Sequence, residues 1–152
     1  AEVFVNQTAG SAYPPLPPSG ATQAIFLSDF YTDTEELVQR IRTMTVSGIP
    51  IHLVQISDPA ERLFPFAGRV QFETPNDPAS NLQFGDANAI ADAYKKQRDA
   101  HLGALKDTCR HHGFTYLSHE TSEPASNTLA ALYHAVEAGR EGATSQIMGG
   151  VR

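Results

Sequence analysis

Two aspartates stand where α/β proteins commonly place their chemistry. Asp29 follows the apolar run Ala24-Ile25-Phe26-Leu27 with Ser28 between, and Asp58 follows Ile49-Pro50-Ile51-His52-Leu53-Val54-Gln55-Ile56 with Ser57 between. Open α/β sheets bind ligands beyond the carboxyl ends of their strands, and hard divalent cations prefer carboxylate oxygens. If the two carboxylates converged on one pocket, they would suit a metal-dependent hydrolase or a phosphoryl-transfer enzyme. The same residues have plainer uses. Asp29 can cap the turn after its strand, and Asp58, with Pro59 behind it, reads as a turn or helix cap. Glu61 and Arg62 are placed for ion pairing, with nearby residues or with another part of a larger protein. Phe64-Pro65-Phe66 fits an exposed recognition loop or a lid on the core, and the lid is the expectation.

Other reactive side chains do not form a set. Cys109 lies on an apolar helical stripe, where a buried, inert thiol is the ordinary outcome. His111 and His112 are adjacent at a helix end and point in different directions, and favourable charge at a helix C-terminus accounts for them. A metal site built on them and His119 is therefore not expected. Ser28 lacks the Gly-x-Ser-x-Gly elbow of hydrolases. With no complete combination of nucleophile, base and oxyanion donors, the chain reads as a binding or assembly module rather than an enzyme.

The elements that must position these residues follow from hydrophobic periodicity. The continuous apolar run at 24–29 predicts a strand buried on both faces. Asp33 to Glu36 has capping-box spacing, and Leu37, Val38, Ile41 and Met44 follow at helical intervals until Gly48 stops them. The run ending at Ile56 predicts a second strand, so that strand, helix and strand form a right-handed parallel crossover. Gly68 to Glu73 is read as a short strand or hairpin arm, with Asn76-Asp77-Pro78 as the turn behind it. Ile90, Ala91, Tyr94, Leu102, Leu105 and Cys109 predict a long helix from about Ala87 to His111, ended by Gly113. Phe114-Thr115-Tyr116-Leu117 is the last predicted strand. Ser126 is expected to cap a final helix carrying Leu129, Leu132, Tyr133 and Val136.

The fold class is therefore α/β: three layers, with a mainly parallel sheet and helices on both faces. The first strand, apolar throughout, is expected to be central, with something pairing along its other edge. The expected organisation is an N-terminal segment and Pro-rich connector over 1–23, an α/β unit over 24–141, and a flexible tail over 142–152.

Composition narrows the function classes. The 152 residues carry 11 Lys plus Arg against 17 Asp plus Glu, a formal charge of -6. No basic cluster marks a phosphate-binding face, so nucleic acid is not an expected partner. No apolar run approaches the roughly 20 residues needed to cross a bilayer, so no membrane association is expected. One cysteine, Cys109, excludes an intrachain disulfide and a Cys-based zinc site, which fits a reducing compartment and a cytoplasmic location. The start at Ala1 without Met, running into Tyr13-Pro14-Pro15-Leu16-Pro17-Pro18, suggests a fragment or a processed chain.

Three stretches taken in order carry a family resemblance: Phe26-Leu27-Ser28-Asp29-Phe30, then Asp58-Pro59-Ala60-Glu61-Arg62-Leu63-Phe64-Pro65-Phe66, then the long helix through Ala93-Tyr94 and Ala100-His101. From the connector onward the chain resembles the C-terminal half of the family called "domain of unknown function 58", which is similar to von Willebrand factor A domains. The resemblance implies a partial von Willebrand factor A-like (Rossmann-like) domain. It also implies a Mg²⁺ or Mn²⁺ adhesion site in the full-length protein, of which Asp29 matches one ligand position. The Asp-x-Ser-x-Ser ligand loop of that pattern does not occur in these residues, so no metal is expected in this chain alone. Ser28, Asp58, Glu61 and Arg62 are candidates for interaction or for supporting that site. A MoxR-type AAA+ ATPase is the partner the resemblance suggests. Pairing of two copies through the open edge of the first strand is a further possibility.

Overall fold

The computed structural model describes residues 20–31, 48–74 and 77–149, with Leu37, Gln39, Thr43 and Val46 as single positions between them. In chain order the elements are β1 (Ala24–Ser28), β2 (Ile51–Ser57), α1 (Pro59–Leu63), β3 (Val70–Thr74), β4 (Asp77–Phe84), α2 (Asn88–His111), β5 (Thr115–Glu120) and α3 (Ala125–Gly149). Of the helix expected from Asp33 to Gly48, Leu37, Gln39 and Thr43 are helical. Its extent, with Val38, Ile41 and Met44, lies outside the described residues, as does the Pro-rich segment before Gly20.

The architecture is organised around β2. Ile51, His52, Leu53, Val54 and Gln55 are all buried, which requires a strand on each side and a helical layer on each face. The neighbours are β1 and β5, both parallel, in the order β1-β2-β5. Register places Leu53 opposite Phe26 and Tyr116, and Gln55 opposite Ser28 and Ser118.

Side chains alternate across a strand, so β2 feeds two layers. On one face Ile51 and Leu53 pack with Phe30, Leu37, Phe114 and the α2 residues Leu105 and Cys109. On the other, His52 meets Gln23, with Nε2 2.9 Å from Gln23 Oε1. The Gln23 amide in turn donates to the Val136 carbonyl of α3 at 2.9 Å. His119 Nδ1 and Thr128 Oγ1, 3.0 Å apart, tie β5 to the same helix. The result is an α/β sandwich with a parallel sheet between helices.

Among the described residues the first strand lies at the edge of the sheet and β2 at its centre. Ile25 and Leu27 on β1 are 45% and 63% exposed, and among the described residues β1 pairs only with β2. An apolar run shows that a strand is suited to burial without saying which strands flank it. β2 holds the centre although its sequence is interrupted by His52 and Gln55, because both polar side chains find hydrogen-bond partners inside the sandwich.

The long helix ends as its sequence dictates. Gly113 has φ +72, Phe114 N donates to the Cys109 carbonyl at 2.8 Å and Gly113 N to the Arg110 carbonyl at 3.3 Å. This is the Schellman closure, which needs a residue free to adopt the left-handed region. The last helix departs from expectation at both ends. It begins at Ala125, so Ser126 lies within its first turn, and it continues through Gly142 to Gly149. Pro124, whose ring presets a helical φ, starts the helix ahead of Ser126. The expected arm at 68–73 is β3, and it gains an antiparallel partner, β4, which pairs Phe72 with Leu82 and Val70 with Phe84. Asp77 and Pro78, expected in the turn, belong to β4. The polar sequence Asn81-Leu82-Gln83-Phe84 hides this strand, because an antiparallel ribbon needs only one apolar face.

His52 makes stability depend on pH. With Nε2 donating to Gln23, the buried Nδ1 has no partner among the described residues, and burial holds the imidazole below its ordinary range. The unfolded chain therefore takes up a proton that the folded chain refuses, so this contribution is complete above the unfolded value of about 6.5 and is lost as pH falls below it. Urea unfolding between about pH 7.5 and 5 should show falling stability, with a shallower fall in His52→Phe. An identical pH dependence in the variant would show that His52 is not its source.

Candidate functional site

The candidate residues collect at the carboxyl ends of β1, β2 and β5, where α1 forms a short bridge. Asp58 starts α1 with a complete capping box: its Oδ1 accepts from Ala60 N at 2.8 Å, and its own N–H donates to Glu61 Oε1 at 3.0 Å. Pro59 occupies the first turn, and Phe64 ends the helix in the left-handed region at φ 48. The second Asp58 oxygen is also engaged, accepting from the Thr121 hydroxyl at 3.2 Å. Arg62 reaches across to Glu120, with Nε 2.9 Å and Nη2 3.3 Å from the two carboxylate oxygens. The Arg62 guanidinium, followed by the Ser122 hydroxyl, holds the Glu120 carboxyl below its usual range.

The stretch from Asp58 to Phe66 thus joins β2 to the end of β5. Phe64 is buried, and its ring meets Phe66, Phe72 and Tyr94 at centroid distances of 5.2, 6.3 and 4.9 Å. Edge and tilted ring contacts of this kind stabilise beyond the area they bury. Phe64 thus links α1 to β3 through Phe72 and to α2 through Tyr94, while Phe66, in contact with Phe64 and Phe72, stays partly exposed.

Asp29 sits in a tightly built turn. Its Oδ1 accepts from Tyr31 N at 3.1 Å and lies 3.4 Å from the Ser28 hydroxyl, while Ser28 Oγ accepts from Phe30 N at 3.1 Å. These bonds hold Phe30, buried in the core, at φ 55, a conformation that a non-glycine residue keeps only when its surroundings enforce it. His101 Nε2 lies 2.8 Å from the Phe30 carbonyl, and the His101 ring stacks on Tyr31 at 5.6 Å. Burial, then the adjacent Glu61 carboxylate, pushes the Tyr31 phenol well above its ordinary range.

Asp29 and Asp58 end adjacent strands, yet both carboxylates serve the backbone around them. Among the described residues no three His, Cys, Asp or Glu side chains converge as a metal cage. His111 and His112 contact each other edge to face at 5.0 Å. Cys109 is buried in the core, and burial pushes its thiol up to about 11, which keeps it protonated and unreactive near neutral pH.

One cleft accompanies these residues. It has a volume of about 410 Å³ and lies between α2 and the β2–β5 pair, lined by Gln55, Arg62, Arg98, Lys106, Tyr116 and Glu120 among others. Sequence reasoning passed over Gln55, Arg98, Lys106 and Tyr116. The available signal was Gln55 itself, an amide inside an otherwise apolar strand run. Arg98 and Lys106 lie among the charged residues of a long helix, where residue type alone does not separate a cleft wall from a solvated face.

The capping role of Asp58 is testable by substitution. Asp58→Ala should cost about 1 kcal/mol in urea unfolding, whereas Asp58→Asn, which keeps an acceptor for Ala60 N, should cost markedly less. Equal losses in both would mean that the charge, and not the cap, is what matters.

No family model and no curated protein matches this chain. Among solved structures it is similar to a protein from the universal stress protein family from Burkholderia pseudomallei. The likeness has 14% identity and a TM-score of 0.34, and covers 80% of this chain and 79% of that one. A superposition that loose carries no functional argument.

Proposed function

We propose that this chain is a binding and assembly module of the von Willebrand factor A type, whose sheet is extended across β1 by a further strand. The supporting observation is β1 itself. It is apolar on both faces, pairs among the described residues with β2 alone, and leaves Ile25 and Leu27 exposed on the face that α3 covers for β2 and β5. Unpaired backbone groups beside exposed apolar side chains are what an added strand satisfies. In this reading residues 24–141 are the C-terminal part of such a domain. Asp29 ends the edge strand, so a strand added there could bring in the oxygen ligands that Mg²⁺ or Mn²⁺ binding needs. A MoxR-type AAA+ ATPase is the partner class implied by the resemblance. The alternative of a metal-dependent hydrolase or phosphoryl-transfer enzyme draws less support, because both Asp58 oxygens and one Asp29 oxygen are already hydrogen-bonded within the fold. No helix among the described residues is long and apolar enough to cross a membrane.

Light scattering across a range of concentrations, with and without Mg²⁺, tests the edge. The isolated chain should gain mass as concentration rises, and Leu27→Lys should hold it monomeric. A strict monomer at every concentration would overturn edge-mediated assembly.

A further inference from the structure

The cleft between α2 and the β2–β5 pair involves none of the residues on the β1 edge, and its chemistry is of a different kind. Gln55 forms part of its lining from the central strand, and its side chain is almost completely enclosed, at 2% exposure. The Tyr116 hydroxyl donates to Gln55 Oε1 at 3.3 Å. That leaves Gln55 Nε2, a donor, buried without a partner among the described residues. Buried donors are nearly always paired, by protein, water or ligand.

Arg98 repeats the pattern on the α2 wall. Its side chain is 11% exposed and Nη1 pairs with Asp99 at 3.1 Å, while Nε is buried with no partner among the described residues. Burial pushes the Tyr116 phenol above its ordinary range, with the Arg98 charge opposing that rise from the α2 wall. Lys106 adds a second cation from the same helix. Of the cleft's two carboxylates, Glu120 is already committed to Arg62. Arg98 keeps its pairing with Asp99, so Lys106 is the cation of the lining that none of these pairs engages, beside Glu123.

Gly103 also lines the cleft. It lies inside α2 without positive φ, and a Cβ there would meet nothing within 4 Å. Glycine weakens a helix interior, and nothing in the backbone requires it here. Its effect is to keep the wall open. The volume of about 410 Å³ lies within the range of small-ligand sites, and the position toward the carboxyl ends of parallel strands is where α/β sheets bind.

We infer that this cleft binds a small oxyanion-bearing ligand, a carboxylate or a phosphate, with Gln55 Nε2 and Arg98 Nε donating to its oxygens and Lys106 balancing its charge. Glu120 and Glu123 at the same cleft select against highly charged polyanions. Leu102 supplies an apolar patch for the body of the ligand.

The test is an NMR titration of the full chain with inorganic phosphate and, separately, with succinate, following the Gln55 side-chain amide and the Arg98 Nε–H. One probe should shift both signals together and saturably. Phosphate acting alone assigns a phosphate ligand, and succinate acting alone a carboxylate. Lys106→Glu, an exposed change that leaves the fold intact, should weaken binding by at least about tenfold. Gly103→Leu fills the cleft with a better helix former and should abolish binding while raising thermal stability. Absence of a saturable shift with either probe would overturn the inference and leave a cleft that holds only water. So would equal binding by the Gly103→Leu variant.

Discussion

Burial of β2 on both faces is the constraint from which the rest of the molecule follows. A parallel strand enclosed from Ile51 to Gln55 must have a strand on each edge and a helical layer above and below, because no backbone or side-chain group in it can turn to water. The polar residues in this strand record how the demand is met. His52 hands a hydrogen bond to Gln23, which passes one to α3. Gln55 is only half satisfied by Tyr116, and the unsatisfied half coincides with the cleft. One polar residue of β2 locks a layer in place, and the other marks where the two layers part.

The bridge at the carboxyl ends shows how easily architecture resembles catalysis. Asp58, Glu61 and Arg62 have the residue types of an active site, but the first two close a capping box and the third clamps β5 through Glu120. Phe64 and Phe66 then carry the hairpin. A short helix of five residues is not stable alone. It persists here because its cap, its ion pair and its aromatic end are each tied to a different element.

The sequence made local features legible wherever a short-range rule sufficed. The turn-or-cap reading of Asp58, the Gly113 stop and the limits of α2 depend on contacts among residues close in sequence, and the structure has them where the pattern placed them. The β4 strand was not legible, because its alternation is too polar to stand out. The start of α3 was misplaced because Ser126, a good cap by type, competes with the helical φ preset by Pro124.

Composition and periodicity were enough to specify an α/β sandwich and the limits of α2, since these depend on neighbours within a few residues. Tertiary structure decided which strand is central, which face of β1 stays open, and whether a carboxylate serves as a cap or a clamp. Arg62 and Glu120 are 58 positions apart, and Gln55 and Tyr116 are 61 apart. Pairings of that kind depend on how whole layers pack, and a pattern in the chain does not encode them one residue at a time.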